Sequence, residues 1–379
     1  LERLGWAFIS KARRSFDPGY YKLAEQTAIC MESKQVNNHQ AQLLHGHVLH
    51  NLHKFKQAET LAKNLVAQRG LWFDYGLLGD VLMEQGKLEA AINAYQEMMN
   101  QRPGAQSYSR AAQIRWLKGD VNGAIEMMSL SISSLSTRDR ESIAWAQTRL
   151  AQLLMQKNLI KKAQLSIDRA LHWQENYPPA LLLRGRMELA RQDSISAENT
   201  LRIAVKGNTL PEYQWLLLDA LRLNGRTLDA DKIETQLLSR GEIEDPRTLA
   251  LYLATMGKDI RRALRLAKKE LIVRTDVNTL DAFAWALYAN GEISEAFEYS
   301  KLALLEGTED ARLLLHATII ASAAGNITVS AGLWRKLSKI QHMLLPSEQL
   351  LLSSKFAPIQ SQIPSQSVHR LSRRGISTL

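Results

Sequence analysis

The chain has very little cysteine and proline: one cysteine, Cys30, and nine prolines in 379 residues. A lone cysteine excludes an internal disulfide and leaves the redox compartment open. No stretch reaches the roughly 18 apolar residues expected of a membrane span, and the most apolar segment, 313–324, is interrupted by His316. Abundant leucine, alanine and glutamine with few prolines are typical of an all-helical chain.

Sequence motifs of catalysis are missing as well. There is no Walker-type phosphate loop, no dinucleotide-binding glycine pattern, no HExxH, no paired CxxC and no nucleophile elbow. The spacing of the serines, histidines and acids assembles no nucleophile, base and orienting group. We therefore expect no enzyme and no cofactor.

What the chain does contain is a small residue at a nearly constant step. The intervals are 34, 33, 33, 39, 34, 33, 33, 33 and 34, and a sustained period in the thirties predicts a solenoid of one repeated unit. These anchor residues are Ala24, Ala58, Ala91, Ala124, Ala163, Ala197, Ala230, Ala263, Ala296 and Ser330.

A second series, also mostly small, lies twelve residues before each anchor. Between the two series runs a polar break, often with glycine, so each repeat is predicted to be two short helices joined by a tight turn. Small residues let the two helices approach closely. The second series reads Ala12, Gly46, Gly79, Ala112, Ala151, Gly185, Leu218, Leu251, Ala284 and Thr318.

This pattern resembles the tetratricopeptide repeat (TPR) family. The best single match consists of Tyr75, Leu78, Gly79, Leu82, Gly86, Ala91, Tyr95, Met98 and Pro103. Other repeats lose the aromatic residue or the proline. The resemblance covers roughly residues 1–345 and implies an all-α fold: a right-handed α-solenoid of about ten helix-turn-helix repeats.

The two ends of the pattern define the expected boundaries. We expect the array over 1–345, a helix over 346–356 that caps the last repeat, and a basic Ser/Gln/Arg tail over 357–379 that is disordered. The interval of 39 places about six extra residues between Ser131 and Ala144. We interpret them as a longer surface loop, with a recognition loop as the alternative.

In TPR arrays the first helix of each repeat lines a concave groove, and the residue after its small position usually points into that groove. The resemblance therefore implies groove candidates in most repeats. We favour repeats six to nine, where Arg186, Asp219 and Arg222 converge; the family's clamp of lysine and asparagine for acidic carboxyl termini is not visible. The candidates are Arg186, Asp219, Arg222, Trp215, Tyr252, Trp285, Tyr288, Gln113, Trp116, Gln152, Asp80, His47 and His50.

Charge and histidine content argue against two further kinds of site. Of the net charge of +10, four units follow Glu348, and acids interrupt the positive charge of the repeats, which disfavours nucleic acid. The histidines at 45, 47, 50 and 53 lack a carboxylate or cysteine that would complete a ligand set. We expect no metal.

The sequence thus predicts a non-catalytic scaffold that binds a peptide or protein segment in the concave groove. The alternatives are a regulatory or substrate-presenting subunit of an enzyme complex and, as a minor one, a nucleic-acid or carbohydrate reader. The chain opens at Leu1 without methionine. We expect a soluble domain, either cytoplasmic or the mature part of an exported or membrane-anchored protein, with its oligomeric state open.

Overall fold

The computed structural model describes residues 1–35 and 37–360, with side chains as far as Lys355. Within these residues the chain forms helices and no strand. The helices are α1 (Glu2–Ser15), α2 (Gly19–Lys34), α3 (His39–Asn51), α4 (Phe55–Gln68), α5 (Trp72–Glu84), α6 (Leu88–Gln101), α7 (Ala105–Leu117), α8 (Val121–Ser133), α9 (Arg140–Gln156), α10 (Ile160–Trp173), α11 (Pro178–Ala190), α12 (Ser194–Gly207), α13 (Pro211–Leu223), α14 (Thr227–Glu244), α15 (Pro246–Met256), α16 (Ile260–Val273), α17 (Val277–Ala289), α18 (Ile293–Ala303), α19 (Ala311–Ala323), α20 (Ile327–Leu337), a 3-10 turn (Gln341–Met343) and α21 (Pro346–Gln360).

The predicted helical pairs are confirmed, and the small residues explain why they form. Every anchor lies on the second helix of a pair and is buried. At Gly79 of α5, an added Cβ would lie 2.3 Å from the Tyr95 ring of α6, so only glycine permits this approach. Gly86, with a φ of 68°, then ends the first helix in the left-handed conformation.

Ten consecutive pairs stack in chain order, which gives an all-α solenoid of ten repeats (repeat 1 is α1–α2, repeat 10 is α19–α20). The largest apolar core runs from Leu189 of repeat 6 to Leu352 of α21. Repeats 1 to 5 instead hold several smaller clusters. Buried apolar residues occur along both halves of the chain, but only in the second half do they join into one large cluster.

Successive turns of the solenoid contact each other along a seam. The helix-to-helix turns of repeats 3, 4 and 5 meet the loops that follow repeats 8, 9 and 10. Thr275 donates from its amide to the Glu84 carbonyl (3.1 Å) and from its hydroxyl to the Gln85 carbonyl (2.6 Å). The Thr308 hydroxyl donates to the Leu117 carbonyl (2.7 Å). His342 completes the seam at the Met155 carbonyl (2.8 Å).

Two helices are longer than their counterparts. The first helix α9 has 17 residues where α7 and α11 have 13, and the second helix α14 has 18 where α12 and α16 have 14. The extra residues of the 39-residue interval were expected in a surface loop. Several of them instead lengthen α9 at its N-terminal end, because Asp139 caps that helix through the Ser142 amide.

The C-terminal helix lies elsewhere than expected. Helix α21 extends four residues beyond 356, and it does not simply cover the end of repeat 10. It packs on α19 and α15, and Ser347 at its start bonds Asp219 of α13. These are first helices, so the segment lies along the inner face of repeats 7 to 10. The tail beyond 360 lies outside the described residues. Within the described part no helix is both long and apolar enough to span a membrane.

Candidate binding lumen

A cavity of about 1150 Å³ lies inside the superhelix, and we call it the lumen. Its wall comes from repeats 1 and 2 on one side and from α9, α11, the start of α13 and the end of α14 on the other. Typical small-molecule sites have volumes of roughly 300–1,000 Å³. The lumen exceeds that range, which suits a segment of polypeptide.

Large apolar side chains are exposed on the lumen wall. Trp145 near the start of α9 is 37% exposed, and Ile243 at the lengthened end of α14 is 88% exposed. Leu210, before α13, is exposed as well. Apolar side chains that share one cavity while remaining in contact with solvent mark an interaction surface.

Four arginines line the lumen, and three of them pair with acids. The Glu141 pair joins repeat 1 to repeat 5; burial raises the pKa of Glu141, and the charge of its arginine opposes that shift. The pairs are Arg13 with Glu141 at 2.5 Å, Arg240 with Glu244 at 2.6 Å, and Arg186 with Glu212 at 3.7 Å.

The fourth arginine, Arg149 on α9, has no acidic partner. Its Nη1 donates to Gln152 Oε1 (2.7 Å) and its Nη2 to Gln113 Oε1 (2.8 Å). No carboxylate of the described residues lies within ion-pair distance, and burial alone lowers the pKa of its guanidinium. The lumen lining holds four arginines and four acids, namely Asp17 and the three paired glutamates, and Arg149 is the one of these arginines that forms no ion pair with a described residue.

The repeat geometry, with paired helices, buried small residues at both contacts and stacking in chain order, decides the fold. The chain is a TPR-like repeat protein. No protein-family model matches the sequence, and no curated protein matches it.

Two solved structures resemble the TPR-like array. One is the C-terminal part of a TPR repeat-containing protein from Cytophaga hutchinsonii, with 18% identity over 69% of this chain and 94% of that one, at a TM-score of 0.36. The other is yeast Tom70, with 12% identity over 96% and 97% of the two chains and the same TM-score.

The predicted groove residues of repeats 2 and 3 pack against, or bond to, neighbouring side chains of the protein. His47 packs edge-on against Trp6, with ring centroids 5.3 Å apart, and burial lowers its pKa to about 4, so it is neutral at pH 7. His50 packs against Phe55. No group of three or more potential metal ligands occurs among the described residues.

Asp80 of repeat 3 is also engaged within the protein. It accepts two hydrogen bonds from Arg110 (2.8 and 2.5 Å) and one from the Tyr95 hydroxyl (2.8 Å). Burial alone would raise the pKa of Asp80, but the Arg110 charge and hydrogen bonds outweigh it and hold the pKa below its usual value. Asp80 is therefore a structural anion.

The predicted residues of repeats 4 and 5 divide into two kinds. Gln113 and Gln152 hold Arg149 at the lumen. Trp116 is buried and donates from its indole to Gln156 Oε1 (2.9 Å), so it contributes packing rather than ligand contact.

The aromatic candidates of repeats 8 and 9 are packed in the core, which corrects their assignment to an open groove. Tyr252 and Trp285 are at most 1% exposed. Trp285 stacks on His316, with centroids 4.2 Å apart, and on the half-buried Tyr288 at 4.8 Å. Its indole donates to Thr255 (3.1 Å). Tryptophan and tyrosine are equally suited to a ligand groove and to the packing between helices, so the residue type alone could not predict which environment these side chains have.

The C-terminal segment covers the inner face of repeat 7. The Ser347 amide and hydroxyl donate to Asp219 (3.1 and 2.7 Å), and the Trp215 indole donates to the Ser347 hydroxyl (3.0 Å). Glu348, fully buried, pairs with Arg312. Part of the face that we expected to bind a partner, at repeats 7 and 8, is thus covered by the chain itself.

The two remaining arginine candidates have different surroundings. Arg222 pairs with Glu234 of the same repeat (3.0 Å), which also bonds the Tyr252 hydroxyl. Arg186 lines the lumen, and its Nε is buried without a partner among the described residues. Only Arg186 of these two lines the lumen, and the convergence of Arg186 with Arg222 on one ligand stays a prediction.

Sequence analysis did not single out Arg149, Trp145 or Ile243. A signal for Arg149 was present, because the position two before the small residue of the first helix is leucine in half of the repeats. No comparable pattern marks Trp145 or Ile243; Ile243 reaches the lumen on the extra length of α14, and Trp145 lies just after the residues that lengthen α9.

Proposed function

We propose that this TPR-like protein is a non-catalytic scaffold that holds a segment of a partner protein in the lumen. The observation that carries the proposal is the combination, in one cavity, of exposed apolar side chains with an arginine, Arg149, that forms no ion pair with a described residue. Such a wall offers apolar anchors and a charged contact together, as peptide-binding surfaces do.

The location of the site follows from what the C-terminal segment covers. That segment covers part of the inner face at repeats 7, 8 and 10, and we place the partner in the lumen beside repeats 1, 5 and 6, which no residue of α21 lines. Binding there is expected to depend on the lumen wall and not on Trp215, Tyr252 or Trp285.

Site-specific photo-crosslinking tests this function. A benzoylphenylalanine replaces Trp145 in the lumen or, as the matched control, Leu228, which is 78% exposed at the start of α14 and does not line the lumen. Both proteins are made in the native cells and irradiated, and adducts are mapped by mass spectrometry. We expect one contiguous partner segment at position 145 and background at 228.

The crosslinked segment is then synthesised and added to the purified, unmodified chain. The proposal is supported if the synthetic segment binds the purified chain and blocks crosslinking at position 145. Equal adducts at the two positions, or adducts at 145 only within the chain itself, would count against it.

A further inference from the structure

One column of the first helices is leucine in half of the repeats. It lies two residues before the small residue, and its leucines, Leu44, Leu77, Leu183, Leu216 and Leu249, are buried. Three repeats carry a basic residue in this column instead: Arg110, Arg149 and His316. A cation in a packing column needs a compensating partner.

Two of these three residues have such a partner inside the protein. Arg110 forms a two-point pair with Asp80. His316, itself fully buried, bonds the buried Asp281 at 2.9 Å. Each acid comes from the first helix of the preceding repeat, so both sites are closed within the array.

Arg149 is the exception in this column. Gln113, from the first helix of the preceding repeat, offers an amide oxygen where the other two sites have a carboxylate. Gln152 supplies the second amide oxygen, and the Nε of Arg149 forms no hydrogen bond with a described residue. The two amide oxygens hold the guanidinium in place, but no carboxylate of the described residues pairs with its charge.

We infer that Arg149, held by Gln113 and Gln152, binds a carboxylate of the protein segment in the lumen. This inference rests on the proposed function. A carboxylate supplies the missing charge and accepts from two N–H groups of a guanidinium at once. Trp145 lies four residues earlier on α9, one turn along the same helix face. The ligand therefore places an apolar side chain next to its carboxylate.

Fluorescence anisotropy with short labelled peptides tests the site on the full chain. The first peptide contains leucine and glutamate and has an amidated C-terminus; the second replaces every glutamate by glutamine and has a free C-terminus. A third, with glutamine and an amide, gives the background. The first two peptides distinguish a side-chain carboxylate from a terminal one, and we expect at least one of them to bind above background.

The matched variants are Arg149→Gln and Arg240→Gln, which remove the same charge from the same cavity. Because a hydrogen bond to a charged group contributes strongly, we expect Arg149→Gln to weaken carboxylate binding by about ten- to a hundredfold. Arg240 already has Glu244, and its variant should bind within about twofold of the unchanged chain. Equal losses of affinity in the two variants would indicate a non-specific electrostatic attraction between the peptide and the cavity, and would overturn the assignment of the carboxylate site to Arg149.

A stability measurement separates binding from structure. Arg149→Leu restores the leucine column, so its melting temperature should equal or exceed that of the unchanged chain while carboxylate binding is lost. A lower melting temperature with unchanged binding would make Arg149 a structural residue. No peptide binding at concentrations on the order of 1 mM also overturns the inference. Crosslinks at 145 would then still support the scaffold.

Discussion

Asp219 of α13 lies under the C-terminal segment, where burial raises the pKa of its carboxyl to about 6 against the pull of the Ser347 hydrogen bonds. The unfolded chain releases this proton near pH 4. Between pH 4 and 6 the folded state thus binds more protons than the unfolded state. Its stability is expected to fall by about 3 kcal/mol as the pH rises through this window.

The variant Asp219→Asn tests this pH dependence. It cannot ionise and keeps one oxygen for Ser347, so we expect it to be more stable than the unchanged chain at pH 7 and to lose this part of the pH dependence. Urea unfolding at pH 4, 5, 6 and 7 measures both effects. Asp229→Asn is the control, because the hydrogen bond from Arg202 lowers the pKa of that exposed carboxyl. An unchanged pH profile in Asp219→Asn would refute the buried neutral carboxyl.

At the scale of residues, the periodicity of the sequence predicted burial better than it predicted accessibility. All ten anchors are buried as expected, because their phase decides which side of a helix faces its partner. Trp285 and Tyr252 share their phase with Gln152, yet the first two are buried and Gln152 lines the lumen. Trp285 packs on His316 and Tyr252 on Trp215, both from neighbouring repeats, and the repeat pattern does not say which side chains meet.

Among the elements, α21 provides the most direct test of how the groove is covered. Leu352 is 8% exposed within the large core, whereas Leu350 on the same helix is 73% exposed. Leu352→Ala is expected to lower the free energy of unfolding by about 2–3 kcal/mol. Leu350→Ala should change it by less than about 0.5 kcal/mol. Chemical denaturation of the two variants measures the difference.

Equal small effects of the two substitutions would mean that α21 is not docked on the inner face in solution. The sequence predicted a helix in this segment but placed it at the end of repeat 10. Its placement depends on the width of the concave surface and on complementary groups such as Arg312 for Glu348. Neither is visible in the repeat pattern.

The helices that build the lumen show a similar limit. The interval of 39 predicted an insertion at the right place, but not that it would lengthen α9 and bring Glu141 to the cavity. For α14 the interval to the next anchor is an ordinary 33. Its extra length comes at the expense of the following helix, α15, which has 11 residues. When one helix is longer and the next is shorter, the repeat period stays the same, so the period cannot predict such a change.

For the molecule as a whole, the seam between turns of the solenoid can be tested with two glycines. Gly119 and Gly325 have nearly equal φ values, 77° and 76°. An added Cβ at Gly119 would lie 2.6 Å from the Gly307 carbonyl oxygen across the seam, whereas at Gly325 nothing lies within 4 Å. Alanine at either position pays the same left-handed backbone cost, about 1–2 kcal/mol.

Gly119→Ala is therefore expected to destabilise the protein more than Gly325→Ala does, by at least about 1 kcal/mol. It should also increase the radius of gyration in small-angle X-ray scattering, because the seam must part locally. Identical stability and scattering of the two variants would show that the turns do not touch in solution. This seam could not be predicted from the sequence, since backbone carbonyls accept most of its hydrogen bonds and are present at every residue.

The seam also has a consequence for synthesis of the chain. Its hydrogen bonds join residues 153 to 191 positions apart. At translation rates of about 5–20 residues per second, repeats 3 to 5 leave the ribosome about 10 to 40 seconds before their partners exist. During that interval the nascent chain exposes these backbone acceptors to solvent, and the lumen wall becomes complete only when α11, α13 and α14 have followed α9.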